Sequence, residues 1–173
     1  MITGTSTRVS VNEEKIKEEN SMIEFESKMI DEESFALNYA DAEGYYHRAL
    51  QFQVIEQRPS LVFNIAAVAL ERYLVALCDL YGEDPRNHNY ITLMKTVETV
   101  VEVPKELNRR IKAMDWIFGI CSIDEYRHPN PDEKDMENAL VLCVEVQKMF
   151  DQNRVAALKG IPVGSCQLKL NIL

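Results

Sequence analysis

The densest chemistry in the chain lies in Asp124-Glu125-Tyr126-Arg127-His128, where two carboxylates, a guanidinium and an imidazole stand side by side. Arg127 and His128 crowd one helix end with the two carboxylates, and His128, just before Pro129, reads as cap and turn chemistry. Glu125-x-x-His128 also has the spacing of half a carboxylate-rich di-iron site, but it sits at a helix end beside prolines and no second such pair occurs. Ligands from one turn need partners from elsewhere, so no metal and no cofactor are expected.

A second centre of interest is Glu71. It lies in Ser60–Tyr81, an apolar run broken only by Asn64, Glu71, Arg72 and Asp79. A carboxylate among apolar side chains must find a partner. Glu71 would hold a ligand or pair with Arg127; otherwise it fixes helix register through a salt bridge or hydrogen bond. Glu71, Asp124, Arg127 and His128 together form the candidate polar cluster. Asn64, seven residues before Glu71 and on nearly the same face, is expected to make a structural hydrogen bond. Arg72 is expected to reach solvent over a buried stem. His88, between Asn87 and Asn89, reads as capping or orienting a short helix, and His47 as a boundary residue among aromatics. Trp116, one position off an apolar stripe, is either core rim or the anchor of a dimer contact.

Composition narrows the classes. The 173 residues carry a net charge of −9, which disfavours nucleic acid because phosphate neutralisation needs Lys and Arg in excess. The densest basic stretch, Lys105 with Arg109, Arg110 and Lys112, reads as a solvated helix face. The four cysteines (Cys78, Cys121, Cys143, Cys166) have no CxxC or close His spacing, so reduced thiols are expected rather than disulfides or zinc. The N-terminal residues lack a basic region followed by an apolar one, which argues against a secretory signal. Glu71-Arg72 in the middle of the longest apolar run argues against a membrane span. A cytoplasmic location with no membrane partner is the expectation. No phosphate loop, GxSxG, HExxH or EF-hand spacing is present.

The elements that must position these residues read as helices. Residues 1–30 form a polar lead-in, partly disordered or helical; 31–152 a helical bundle; and 153–173 a C-terminal tail. A first helix from about Asp31 to Gln57 buries Phe35, Tyr39, Ala42, Tyr46, Ala49 and Phe52 at alternating three- and four-residue steps. Gly44 within it is expected to permit close approach of a neighbour. Arg58-Pro59 breaks that helix and Ser60 caps the next, which is apolar round most of its circumference and so belongs at a bundle centre. Gly82 ends it. A short helix over His88–Val101 follows. A third main helix opens at Pro104 and carries Leu107, Ile111, Met114, Phe118, Cys121 and Glu125. A last one starts near Pro131-Asp132-Glu133 and buries Met136, Ala139, Leu140, Cys143, Val144, Val146, Met149 and Phe150. The fold expected is an all-α antiparallel four-helix bundle with a short extra helix between the second and third.

Three segments resemble the HEPN domain, a helical bundle linked to nucleotide binding. They are Tyr45-Tyr46-His47-Arg48-Ala49; Ala69–Leu77 with Gly82, Asn87-His88-Asn89-Tyr90 and Leu93; and Tyr126-Arg127-His128-Pro129-Asn130-Pro131 with the helix after it. The likeness spans roughly residues 35–150. Catalytic members carry Arg, four to six residues, then His at a dimer seam; here His128 follows Arg127 directly, and no other arginine has a histidine at that distance. The resemblance, with the surplus apolar surface on helices two to four, implies a homodimer that lacks ribonuclease activity and serves protein interaction or ligand sensing. The alternative is a divergent HEPN ribonuclease or toxin, or a nucleotide-binding part of a toxin–antitoxin-type system, using Arg127 and His128. A small metal-dependent enzyme built on Glu71, Asp124 and His128 is the third reading.

Overall fold

The computed structural model describes residues 31–85, 87–117 and 130–158. Every regular element among them is a helix: α1 (Glu32–Val54), α2 (Pro59–Leu80), α3 (Tyr90–Val100), α4 (Lys105–Ala113), a 3₁₀ turn (Met114–Trp116), α5 (Glu133–Gln147) and α6 (Gln152–Leu158). The all-α expectation holds for this part of the chain.

The ends of the helices follow local chemistry. Asp31 accepts a hydrogen bond from the Ser34 amide, and Glu32 and Glu33 place negative charge at the positive end of α1. α1 stops at Val54, three residues short of the expected end. The Glu56 amide bonds back to Gln53 O and the Gln57 amide to Phe52 O, with Glu56 in the left-handed region at φ 54°. That is a Schellman motif with a glutamate where glycine is usual. Pro59 occupies the first turn of α2 and Arg58 is its N-cap, with no side-chain cap bond, so Ser60 is not the cap. Proline needs no amide partner there and its fixed φ suits the helix. α2 ends in a second Schellman motif, Gly82 N to Asp79 O and Glu83 N to Cys78 O, with Gly82 at φ 71°. Asp132 and Asp135 cap α5 reciprocally.

α2 is the hub. It packs most extensively against α1, then against α5, and also against α3. Fifteen of its residues are buried, from Val62 to Leu80, so it is covered on nearly every side. By length and composition it is apolar enough to cross a bilayer, and 72% of that stretch is buried inside the protein. Burying each Leu or Phe contributes about 1.5–3 kcal/mol. The alanines of its first half let neighbours approach: the Tyr90 hydroxyl donates to Ala67 O at 2.7 Å, and the Cys143 thiol to Ala66 O at 3.3 Å. Residues 34 and 38 of α1 meet residue 79 of α2, and residue 39 meets residue 73, so the two helices are antiparallel. Ala66 meets Cys143 and Tyr73 meets Gln147, so α5 runs the same way as α2. Phe150 then turns back into an aromatic cluster with Phe35, Tyr39 and Tyr73.

Two further expectations change. The third main helix is α-helical only to Ala113 and tightens into the 3₁₀ turn at Met114, because Asp115 is drawn to the start of α3. Its expected continuation through Phe118, Cys121 and Glu125 lies outside the described residues. The expected tail boundary at 152/153 falls inside α6, where Val155 is buried and the Arg154 guanidinium lies 4.6 Å from the Tyr81 ring centroid.

Candidate functional site

Glu71 sits on the hub helix with only 11% of its side chain exposed. Its Oε1 lies 2.6 Å from Nδ1 of His88, whose side chain is 52% exposed. Glu71 projects from the third turn before the end of α2, and Gly82 turns the chain back so that His88 returns beside it. With Nδ1 committed to the carboxylate, the neutral ring carries its proton on Nδ1 and presents Nε2 as an acceptor. A buried carboxylate behind a half-exposed imidazole is an arrangement able to accept a proton or to ligate through Nε2. Of the expected polar cluster, Glu71 alone is described; Asp124, Arg127 and His128 lie outside the described residues, as does Glu125. The register-fixing alternative for Glu71 has its partner in His88. His88 does not cap α3: Asn89 does, accepting from the Thr92 amide at 2.8 Å.

A second polar group spans the α1–α2 seam. Asn38, 7% exposed, donates through Nδ2 to Asp79 Oδ2 at 2.8 Å and to Ser34 Oγ at 3.2 Å, and accepts from Arg72 at 2.8 Å. Ser34 donates to Asp79 at 3.1 Å. Burial pushes the Asp79 carboxyl above its ordinary range, and the hydrogen bonds from Asn38 and Ser34 oppose that. Arg72 therefore turns to Asn38 rather than simply reaching water, and its Nε is buried without a hydrogen-bond partner. Asn64 is exposed, so the structural hydrogen bond expected there is not needed. Sequence reasoning missed Asn38. The signal was present as Ser34-x-x-x-Asn38, two short polar residues one turn apart beside the Phe35–Tyr39 stripe.

Asp115 is the other residue the sequence did not single out. Its two oxygens accept from the Tyr90 and Ile91 amides, each at 2.8 Å, completing the start of α3 from the far side of α4. Trp116, next to it, is 76% exposed, which removes it from the core rim. The basic stretch is largely matched by acids: Arg109 with Glu106, Arg110 with Glu145 and Asn138, and Lys112 with Glu98. Arg109 holds the exposed Glu106 carboxyl below its usual range.

Burial pushes the Cys78 thiol up to about 12 and the Cys143 thiol higher still; both are reduced and buried, whereas Cys121 and Cys166 lie outside the described residues. Among the described residues no group of three or more His, Cys, Asp or Glu is gathered for a metal. The surface of the described residues carries open grooves. One, of about 470 Å³, is lined by Ala40, Asp41, Gly44, Tyr45, Arg48, Phe52 and Ile65. Another, of about 460 Å³, lies between α1 and α5, with Tyr46, Leu50, Leu140, Val141 and Val144 as its apolar wall. Gly44 faces open space: a Cβ built there meets nothing within 4 Å, so the close approach expected of it does not occur among the described residues. Comparison with family models, with curated proteins and with solved structures returns no match to this chain.

Proposed function

We propose that the protein is a non-enzymatic, HEPN-like helical module that forms a homodimer and acts through protein contacts. The observation that carries this reading is where large apolar side chains remain outside a well-filled core. Trp116 is 76% exposed, Val54 81%, Leu37 and Ile55 60% each, and Tyr45 42%. Side chains of this size on a surface with open apolar grooves suit association with another protein. The antiparallel α1–α2 pair and the parallel run of α2 and α5 suit an up-and-down four-helix order with α4 in third place. The polar residues of the hub helix fit the same reading, because Glu71, Arg72 and Asp79 are each engaged in holding neighbouring segments. The test is light scattering across a concentration series, with a dimer mass expected. A protein that remains monomeric at its highest soluble concentration refutes the homodimer.

A second reading, a divergent ribonuclease, is favoured by the Glu71–His88 pair. It expects RNA cleavage that His88→Ala abolishes with thermal stability nearly unchanged. Stability loss with no cleavage to lose leaves the pair a structural tie.

A further inference from the structure

The exposed face of α1 is complementary to itself. At helical spacing, Leu37, Asp41, Gly44, Arg48 and Ile55 follow one line, with Tyr45 and Phe52 along its edge beside Ile65 of α2. About a point between Gly44 and Tyr45, the line is antisymmetric in charge and shape. Asp41 and Arg48 stand at equal distances on either side with opposite signs. Gly44, above which there is open space, stands opposite a bulky Tyr45. Leu37 mirrors Phe52. Neither Asp41 nor Arg48 forms an ion pair among the described residues, and the Arg48 guanidinium lies 5.9 Å from the Phe52 ring centroid, on the groove.

We propose that a second copy of the chain docks here as a twofold antiparallel α1–α1 pair whose axis passes between Gly44 and Tyr45, which deepens the homodimer reading and rests on it. In that register each Tyr45 ring enters the notch above the partner copy's Gly44. Asp41 of each copy meets Arg48 of the other, twice, and Leu37 packs on Phe52. An isologous contact requires such self-complementarity, in which residue i meets j and j meets i. The register sets Glu33 opposite Glu56 of the other copy, an acidic pair that lies past the end of α1 at Val54 and so outside the helical part of the contact. Leu61, 38% exposed, and Ile65 widen the contact from α2 toward the roughly 1,000 Å² a specific interface needs.

The experiment is sedimentation equilibrium on the full chain. Asp41→Arg faces arginine with arginine across the axis, and Arg48→Asp faces aspartate with aspartate. Each should weaken self-association by about tenfold or more, as like charges at an interface do. Mixed together, the two single variants should form a heterodimer, because both arginines of the one copy then face the two aspartates of the other. The double variant should dimerise like the wild type. Gly44→Leu, which the open space accommodates within one copy, should keep its helical circular dichroism yet lose the dimer. A wild-type dimer unmoved by either charge reversal, or one lost on Trp116→Ala instead, overturns the α1 contact while leaving the homodimer standing. A monomeric wild type overturns both.

Discussion

Replacing Asn38 by alanine should destabilise the protein by about 3 kcal/mol, far more than its small side chain suggests. Three hydrogen bonds disappear together, and two of them involve charged groups, Asp79 and Arg72. Hydrogen bonds to charged groups are worth about 1.5–3 kcal/mol each and neutral ones about 0.5–1.5 kcal/mol. The full sum is not reached, because Arg72 and Ser34 are only partly buried and water replaces some of what they lose. Asp79 has no such relief: it is 8% exposed and keeps only Ser34 as a donor. The assay is urea unfolding followed by far-UV circular dichroism, with Asp79→Ala and the double variant completing a thermodynamic cycle. The second substitution should cost about 1.5–2 kcal/mol less in the presence of the first, since contacting residues couple on that scale. A loss below about 1 kcal/mol with no coupling would refute the reasoning. It would mean that aromatic packing of Phe35, Tyr39 and Tyr73 holds the seam alone.

Other outcomes follow from the same geometry. Asp79 titrates above its ordinary value in the folded protein, so its ionised form is a cost at neutral pH. Stability relative to Asp79→Asn should therefore rise as pH falls through the raised value and level off below the unfolded value near 3.8, measured by urea midpoints across pH. Asp115→Ala strips both amide partners from the start of α3 and should cost about 1–2 kcal/mol in thermal or urea unfolding. Glu56→Gly relieves a left-handed residue and should stabilise by about 0.5–1 kcal/mol, less than the full strain because glycine also loosens the unfolded chain. Cys78 and Cys143 should resist alkylation in the native protein at mildly alkaline pH and react at once in denaturant, followed by mass spectrometry of labelled peptides.

The sequence made the helices legible because burial imposes a period. Phe35, Ala42 and Ala49 are buried as the three- and four-residue steps require, and the apolar circumference of Ser60–Tyr81 belongs to the helix that α1, α3 and α5 surround. Gly82 and Asp132 were readable because each acts within its own turn. What escaped is what depends on a distant partner. Asp115 breaks α4 because amides 25 and 24 residues upstream need it. Glu71 meets His88 only because Gly82 reverses the chain between them, and Asn38 becomes a hub only when Arg72 and Asp79 arrive from α2. The end of α1 was misjudged because glutamate, a good helix former, stands at a left-handed cap position.

The burial of α2 by both α1 and α5 has a consequence for the newly made chain. α1 precedes α2 and is ready to cover its part as soon as α2 emerges. The part under α5 waits for that helix, whose end lies roughly 65 residues beyond the end of α2, which at about 5–20 residues per second is roughly 3–13 s of further synthesis. Throughout that interval the part of α2 that α5 covers, around Ala66, lacks that cover. Until Cys143 and Gln147 are made, the nascent hairpin of α1 and α2 therefore exposes apolar surface of the kind that can associate with other chains.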